Sequence, residues 1–295
     1  MADSLAKTAL VIPVHNRRST TIQGLRSLRR INTSGLNVKI IVVDDGSTDG
    51  TSDAIRAEFP EVELIAGDGS LHYAAGTNRG IEAAMAWNAE YVVTMNDDSV
   101  FHEDFLVRLV ETSRRFERSI VGSLLLLWDS PHLAFQIDPK WKSSEGGWVF
   151  PQNLTAFSVP DEPFEVECLV GNCLLVPARA IKENGALDEV NFPSGWGDAQ
   201  FTMRMKKAGW RLLVDPKSKV WCEPNTYPKP LHTLKTADRL RILLKDQRHP
   251  ANLQRQFTAL WYSAPSKLSA LVAFAFYVGG LLLKALGLRS VAQKV

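Results

Sequence analysis

Cysteine is scarce in this chain, and its spacing excludes two classes of site. Cys168, Cys173 and Cys222 are the only cysteines among 295 residues, and no two of them form a Cys-x-x-Cys pair. A disulfide framework or a structural zinc site needs more cysteines at characteristic spacings. We therefore predict free cysteines and a reducing compartment, the cytosol.

Excess charge and a leading hydrophobic segment are also missing. The net charge of +2 is too small to indicate a nucleic-acid partner. Met1 to Lys7 is polar, and the first apolar run, Ala9 to Val14, is too short for the core of a signal peptide. An apolar fraction of 45% with 22% charged residues instead predicts a globular protein with a sizeable core.

The first half of the chain alternates apolar strands with helical patterns. Strands are predicted at residues 8–14, 38–43, 62–65, 91–95 and 120–127, and helices at 20–30, 51–59, 74–87 and 103–116. The second half predicts a strand at 166–176, a helix at 198–208, late strands at 211–214 and 219–222, and loops or an antiparallel hairpin at 143–163. Apolar strands separated by helices indicate an α/β fold with a mostly parallel sheet flanked by helices.

Polar segments follow the first four predicted strands. They are His15-Asn16, Asp44-Asp45, the segment from Gly67 to Tyr73, and the segment from Asn96 to Ser99. Ligands of parallel sheets bind beyond the carboxyl ends of the strands. We therefore expect these four segments to meet at one sheet edge.

Asp97 and Asp98 are adjacent carboxylates directly after a predicted strand. Such a pair can bind a hard divalent cation through oxygen and leave coordination positions for water and phosphate. The alternative is a solvated turn that caps the helix predicted to begin near Glu103. Taken alone, the pair does not decide between the two.

Two further segments are candidates for donor binding. Asp44-Asp45 is placed to accept hydrogen bonds from a ribose or a base, or to cap the following helix. The glycine-rich segment from Gly67 to Gly80 runs into a helix, whose N-terminus favours phosphate, and Arg79 either neutralises that phosphate or is solvated. This segment is neither a dinucleotide fingerprint nor a P-loop, because His72 stands where the third glycine belongs and Gly-Lys-Ser/Thr is absent.

Asp198 begins a predicted helix after a loop rich in glycine and aromatic residues. A carboxylate there could take the proton from an acceptor hydroxyl as a general base. The alternative is an N-cap aspartate.

These segments together resemble family 2 glycosyltransferases with the GT-A fold, in particular the rhamnosyltransferase-like branch. The resemblance covers residues 7 to 225 and rests on ordered motifs, namely Val11-Ile-Pro-Val-His-Asn16, Val42-Val-Asp-Asp-Gly-Ser-Thr-Asp49, the segment Gly67 to Gly80, Met95-Asn-Asp-Asp-Ser99, Val170-Gly-Asn-Cys-Leu-Leu-Val176 and Gly185-Ala-Leu-Asp-Glu189. It implies a GT-A nucleotide-diphospho-sugar transferase fold.

The resemblance also implies residue roles. Asp98 would be the metal ligand, Asp198 the catalytic base, and the donor would be bound by Pro13, His15, Asn16, Asp44, Asp45, Gly76, Asn78, Arg79 and Asp97. The chain departs from the family's Glu-Asp-x-Asp-Leu motif, because Gly197 replaces its glutamate and Gln200 its second aspartate. His72-Tyr73 stands where the family has an aromatic pair.

The function that the resemblance implies is inverting sugar transfer. The donor would be a dTDP-, UDP- or GDP-linked sugar, the cofactor Mg²⁺ or Mn²⁺, and the acceptor a hydroxyl of a glycan or a lipid-linked glycan in cell-surface polysaccharide biosynthesis. A nucleotidyltransferase and a non-catalytic sugar-nucleotide-binding protein remain alternatives. A nucleotidyltransferase should have a glycine-rich basic loop after the first strand, where this chain has Pro13-Val-His-Asn-Arg-Arg18.

The C-terminal region has a different composition. Residues 229–255 carry seven lysines and arginines against two aspartates, and the nearly continuous apolar run from Leu268 to Leu283 follows. This run is shorter than the roughly 20 residues of a spanning helix. We predict a catalytic domain at 1–228 and a helical region at 229–295 that binds the inner face of the plasma membrane peripherally. A buried terminal helix or a contact in a homo-oligomer is the alternative.

Overall fold

The protein is described by a computed structural model that covers residues 5–223, 231–246 and 249–285. The chain divides into two compact units, with residues 1–138 and 153–224 in unit 1 and residues 139–152 and 225–295 in unit 2. The predicted domain boundary at residues 228 and 229 lies outside the described residues.

Unit 1 is built on one mixed sheet. The strands of the described chain are β1 (Ala6–Val14), β2 (Leu36–Asp44), β3 (Glu63–Ala66), β4 (Tyr91–Met95), β5 (Ser99–Phe101), β6 (Ser119–Leu127), β7 (Lys140–Lys142), β8 (Gly147–Val149), β9 (Phe164–Glu165), β10 (Cys173–Pro177) and β11 (Arg211–Cys222). The sheet has the order β3-β2-β1-β4-β10-β6-β11-β5, with β9 on β11. β1 to β4 are parallel to one another, and β10 is antiparallel to both its neighbours.

Helices cover both faces of this sheet. In unit 1 they are α1 (Arg18–Leu28), α2 (Thr51–Glu58), α3 (His72–Ala86), α4 (Phe105–Arg115), α5 (Ala178–Asn184) and α6 (Gly197–Lys207). Alternate residues of β1 serve opposite faces. Leu10 packs in the core formed with α1, α2 and α4, and Val11 packs in the core formed with α3, α5 and α6. The central strands β4, β10 and β6 are mostly apolar because neither of their faces meets water.

The strand predicted at 166–176 is shorter than expected, because side chains of α6 bind two backbone amides in the middle of this segment. The amide of Leu169 donates to the Thr202 hydroxyl at 3.2 Å, and the amide of Gly171 donates to the Asp198 carboxylate at 2.5 Å. A backbone amide that donates its hydrogen bond to a side chain cannot donate it to a neighbouring strand. Only Cys173–Pro177 therefore pairs as β10.

Two glycines allow α3 to lie directly on β1. A Cβ atom at Gly80 would stand 2.2 Å from Val11 Cγ1, whereas one at Gly76 would stand 3.2 Å from Pro13 Cβ. The first distance is a severe overlap with a stiff β-branched side chain, and the second needs only a small adjustment. Gly76 and Pro13, both predicted to bind the donor, thus pack against each other below the site.

This difference gives a matched pair of variants. Gly80→Ala should lower the free energy of unfolding by about 2–3 kcal/mol, because overpacking outweighs the gain in helix propensity. Gly76→Ala should change it by less than about 1 kcal/mol. Urea unfolding followed by tryptophan fluorescence measures both, and equal losses in the two variants would contradict the close packing at Gly80.

The described residues of unit 2 form a hairpin of β7 and β8 and the α-helices α7 (Thr236–Leu244), α8 (Leu253–Ser263) and α9 (Lys267–Ala285). The Trp148 indole donates to the Ser263 hydroxyl at 3.0 Å, and Gly146 lies against Tyr277. These contacts explain why residues 139–152, which the sequence analysis placed in the catalytic domain, belong to unit 2. Across the described residues, no helix is both long and apolar enough to cross a bilayer.

Candidate active site

The carboxyl ends of β1, β2 and β3 are tied together by hydrogen bonds. His15 Nδ1 donates to the carbonyl of Asp45 at 2.6 Å, and Asn16 Oδ1 accepts from the amide of Thr48 at 2.7 Å. Asn16 Nδ2 donates to the other ring nitrogen of His15 at 2.9 Å. His15 and Asn16 are exposed, so they lie at the rim of the predicted nucleotide pocket while they join the first two loops.

The Asp45 carboxylate holds the glycine-rich loop. It accepts hydrogen bonds from the backbone amides of Gly69 at 2.8 Å, Leu71 at 3.2 Å and His72 at 3.0 Å. Asp44 is buried and accepts from the Ser47 amide at 3.0 Å and from the Ser52 hydroxyl. Both aspartates shape the loops at this edge, and the contact of Asp45 with a base or ribose stays a prediction.

Asn78 and Arg79, on α3, have separate surroundings. The Asn78 amide group accepts from the Leu187 amide at 3.0 Å and donates to the Leu187 carbonyl and to Glu189. Asn78 thus anchors the Gly185 to Glu189 segment. Arg79 is exposed and lies within electrostatic reach of Asp68. Contact of either residue with the donor stays a prediction.

The Asp97-Asp98 pair lies at the carboxyl end of β4, where the turn into β5 begins. Asp97 is 7% exposed and accepts from the Thr21 hydroxyl at 3.2 Å. Arg17 Nη1 is 3.2 Å from an oxygen of each aspartate. The helix α4 starts only at Phe105, with Asp104 at its N-cap, so neither Asp97 nor Asp98 caps a helix.

Burial governs the protonation of Asp97. It raises the pKa of Asp97 to about 6, and neighbouring Asp98 adds to this rise, while Arg17 and the Thr21 hydroxyl oppose it. A buried carboxylate of raised pKa beside a second carboxylate is a common feature of functional sites. The ion pair with Arg17 therefore compensates the buried charge only in part.

Oxygen atoms without a partner make this turn suitable for a hard cation. Asp98 Oδ1 and Asn96 Oδ1 are buried and have no hydrogen-bond partner. Oxygen is the ligand that Mg²⁺ and Mn²⁺ prefer, and substrate phosphates and water complete such sites. In the described part of the chain, no group of three or more His, Cys, Asp or Glu residues could hold a metal. The unpaired oxygens of Asp98 and Asn96 fit a cation whose remaining ligands would be water and the oxygens of a diphosphate.

Asp198 lies close to this turn through the segment Gly171-Asn172. Its carboxylate accepts from the amides of Gly171 at 2.5 Å and Ala199 at 2.8 Å, and the Asn172 carbonyl accepts from the Asn96 amide at 3.3 Å. The Tyr73 phenol donates to the Gly171 carbonyl at 3.4 Å, and both Asp198 and Asp98 act on it electrostatically. The predicted metal ligand and the predicted base therefore both lie within electrostatic reach of the Tyr73 side chain.

Burial raises the pKa of Asp198, and the hydrogen bonds that its carboxylate accepts from two backbone amides oppose this effect. A higher pKa makes the ionised carboxylate a better proton acceptor. The residue occupies the first turn of α6, whose N-cap is Trp196, so the N-cap alternative does not describe it.

The two residues that depart from the family motif, Gly197 and Gln200, lie in close-packed surroundings. A Cβ atom at Gly197 would lie 3.1 Å from the carbonyl of Phe192, so a glutamate would be crowded there. Gln200 is 7% exposed, and its Oε1 has no hydrogen-bond partner. Asp198 is thus the one carboxylate that the motif retains.

Sequence reasoning missed Arg17, Thr21 and Glu223, which surround the aspartate pair. Arg17 Nη2 is 3.2 Å from Glu223 Oε2, in addition to its contacts with Asp97 and Asp98. Arg17 directly follows the His15-Asn16 pair, and a basic residue in that loop was the one signal that could have pointed to it.

Comparison with known proteins agrees with this architecture. The sequence pattern of the family described as "Glycosyl transferase family 2" matches residues 9–127. The chain resembles solved structures of GalNAc-T7 with UDP, GalNAc and Mn²⁺ (TM-score 0.63, 14% identity, 97% of this chain and 58% of that one) and of S. aureus TarS residues 1–349 (TM-score 0.54, 13% identity, 92% and 70%). These likenesses confirm the predicted GT-A fold.

Proteins of similar sequence indicate more closely which glycosyltransferases this chain resembles. The N-acetylglucosaminyl-diphospho-decaprenol L-rhamnosyltransferase of Mycobacterium tuberculosis is 28% identical over 204 residues, which are 62% of this chain and 66% of that protein. The succinoglycan biosynthesis protein ExoA of Rhizobium meliloti is 25% identical over 237 residues, covering 78% and 68%. The match thus spans 66% of the length of the mycobacterial relative. The predicted resemblance to family 2 glycosyltransferases is confirmed, and one of the relatives is a rhamnosyltransferase.

Proposed function

We propose that the protein is an inverting, cation-dependent glycosyltransferase that moves a sugar from a nucleoside-diphosphate donor to a hydroxyl group. The observation that carries this proposal is the Asp97-Asp98 turn, with a buried, unpaired oxygen on Asp98, joined through Gly171-Asn172 to the carboxylate of Asp198. The matching family and the cation in the GalNAc-T7 structure support it.

Each carboxylate has a separate task in this proposal. Asp198 accepts the proton of the acceptor hydroxyl, the hydroxyl oxygen bonds to the anomeric carbon, and the bond from that carbon to the diphosphate oxygen breaks. The leaving diphosphate takes the electron pair of that bond, and one displacement inverts the configuration. Asp98, with the Asn96 oxygen nearby, would hold the cation, while Asp97 would face the donor sugar or ribose. The bound cation supplies positive charge that stabilises the leaving group.

The names of the relatives indicate the type of partner. One is a rhamnosyltransferase named for an acceptor on a diphospho-decaprenol lipid, and another is a biosynthesis protein of a polysaccharide. We therefore propose a dTDP-, UDP- or GDP-linked donor and a glycan or lipid-linked acceptor in cell-surface polysaccharide synthesis, with Mg²⁺ or Mn²⁺ as cofactor.

A donor screen tests the proposal. The full chain is heated with each of a panel of dTDP-, UDP- and GDP-sugars, with Mn²⁺ and with chelator, and the nucleoside diphosphate released is measured in parallel. A ligand that binds only the folded state raises the melting temperature, so one donor class should stand out and should need Mn²⁺. Binding without any release or transfer would favour a non-catalytic sugar-nucleotide-binding protein, and no binding in any arm would contradict both.

We also propose that the C-terminal region binds an anionic membrane surface peripherally, at the cytoplasmic face. Unit 2 contains thirteen lysines and arginines against three aspartates and glutamates, a formal charge of +10 in a chain of net charge +2. One face of α9 exposes apolar side chains at helical spacing, formed by Leu268, Leu271, Val272, Ala275, Phe276, Leu282 and Leu283. We call this face the α9 stripe. Positive charge beside an exposed apolar stripe favours an anionic lipid surface.

The double variant Leu271→Glu with Phe276→Glu should weaken partitioning onto vesicles of anionic and zwitterionic lipid by about 100-fold or more, because burying two such side chains contributes about 3 kcal/mol or more. Both residues are about half exposed, so folding should be retained. Co-sedimentation measures the effect, and Phe157→Glu, at an exposed position of unit 1, is the control. Unchanged sedimentation, or a wild-type dimer that the double variant dissociates, would contradict lipid binding by the α9 stripe.

A further inference from the structure

Arg17 is the cationic side chain that contacts the aspartate pair. It follows β1 and stands at the N-cap of α1, so its backbone is fixed by two regular elements. Its Nη1 atom is 3.2 Å from Asp97 Oδ1 and 3.2 Å from Asp98 Oδ2, and its Nη2 atom is 3.2 Å from Glu223 Oε2. One guanidinium therefore bridges carboxylates from the ends of β4 and β11.

The charges of this cluster do not balance. Three carboxylates meet one guanidinium, which leaves two negative charges when all are ionised. Asp98 Oδ1 is buried and has no hydrogen-bond partner. A divalent cation carries the charge that is missing, and the unpaired oxygen is a ligand of the type that it prefers. A cation bound at this oxygen would therefore supply the second positive charge of the cluster.

Arg17 and that cation would compete for the same carboxylate, because Arg17 contacts Asp98 Oδ2 and the unpaired oxygen of that carboxylate is Oδ1. A cation bound to Asp98 lies within a few ångströms of Arg17 Nη1, and like charges at that separation repel. The Arg17 side chain is 38% exposed, so it has room to move away from the aspartates. A guanidinium released beside a cation-bound diphosphate has a matching partner in the phosphate oxygens, which it binds through two parallel hydrogen bonds.

We infer that Arg17 is a positioning residue that occupies the aspartate pair when no cation is bound and contacts the donor diphosphate when the cation takes its place. This inference rests on the proposed function and adds to it an order of events. The guanidinium keeps the two aspartates apart and oriented before loading, and it lowers the affinity for a cation that arrives without a donor. Cation and donor binding are thereby coupled.

The test measures binding of Mn²⁺ alone, without donor or turnover, from the electron paramagnetic resonance signal of free Mn²⁺. Arg17→Gln should bind Mn²⁺ about 10-fold more tightly than the wild type, because the competing charge is gone. Arg17→Lys keeps the charge but loses the forked contact, so its affinity should lie between the two. Arg18→Gln, at the exposed neighbouring position, should match the wild type.

A second arm measures binding of UDP, dTDP and GDP at saturating Mn²⁺ by calorimetry. The nucleotide that the wild type prefers should bind about 10-fold more weakly to Arg17→Gln, since the diphosphate loses a charged partner. The two arms thus move in opposite directions, which a general loss of structure would not produce.

Each outcome decides the inference. The inference requires that Arg17→Gln binds Mn²⁺ most tightly, Arg17→Lys less tightly and the wild type least tightly. Any other order overturns it, including the case in which Arg17→Gln binds Mn²⁺ less tightly than the wild type. A wild type that binds Mn²⁺ in an Asp98-dependent manner while Arg17→Gln shows no change overturns the inference alone. A wild type that binds no Mn²⁺ even with nucleotide overturns the cation-dependent proposal and the inference together.

Discussion

Asp198→Asn should lower kcat for sugar transfer by about 10²–10⁴-fold, the range that a positioned general base contributes. Asparagine retains the size of the side chain and can still accept a hydrogen bond from the Gly171 amide, but it cannot accept a proton. KM for the donor should change little, because Asp198 is not among the residues proposed to bind the donor. Initial rates of nucleoside diphosphate release with acceptor present measure the effect.

The pH dependence gives a second criterion. Burial raises the pKa of Asp198 in the folded state, so the carboxylate is protonated, and the rate falls, at a higher pH than an ordinary aspartate with a pKa of about 3.9 would give. A raised folded pKa also means that this group favours folding at low pH and that its contribution is lost as the pH rises through the raised value. Asp198→Asn removes a buried charge that opposes folding at neutral pH, but it can accept from only one of the two amides that Asp198 accepts from, so its melting temperature should change little.

Asp161→Asn, at an exposed position of unit 1, is the matched control and should leave kcat unchanged. If Asp198→Asn retained kcat within about three-fold, Asp198 would not be the base, because a base contributes at least about 10²-fold. The binding role of the site would then have to be tested independently of transfer.

The fold was predictable where strands are buried on both faces. β4 was predicted with its observed bounds, because Tyr91 to Met95 is an apolar run, interrupted only by Thr94, between polar neighbours. β5 was missed because three residues directly after the aspartate pair show no periodicity, and this strand forms through pairing with distant β11. The antiparallel direction of β10 could not be predicted either, since an apolar run carries no information about strand direction.

The site was predictable to the level of loops but not of contacts. Parallel strands bring their carboxyl ends together, which explains why the loops after Val14, Asp44 and Ala66 are joined by hydrogen bonds. The sequence did not predict that the Asp45 carboxylate accepts hydrogen bonds from backbone amides, or that Arg17 contacts Asp97 and Asp98. Such contacts depend on side-chain direction across a sequence separation of 24 to 81 residues.

Asp98→Asn should lower the affinity for Mn²⁺ by about 100-fold and transfer by about 10²–10³-fold, because the proposed cation site loses its charged ligand. The amide keeps the shape of the side chain, and the ion pair with Arg17 is weakened without a cavity. Mn²⁺ binding, measured without donor, separates loss of the cation from loss of any later step.

Asp97→Asn is the comparison that assigns the two aspartates. Asp97 oxygens already contact Arg17 and the Thr21 hydroxyl, whereas Asp98 keeps a buried oxygen without a partner. Asp97→Asn should therefore raise KM for the donor and weaken Mn²⁺ binding by about 10-fold or less, the effect of removing a nearby charge rather than a ligand. If Mn²⁺ affinity fell further in Asp97→Asn than in Asp98→Asn, the ligand would be Asp97. Equal Mn²⁺ affinity in both variants and the wild type would place cation binding outside this turn, since each change removes a carboxylate from it.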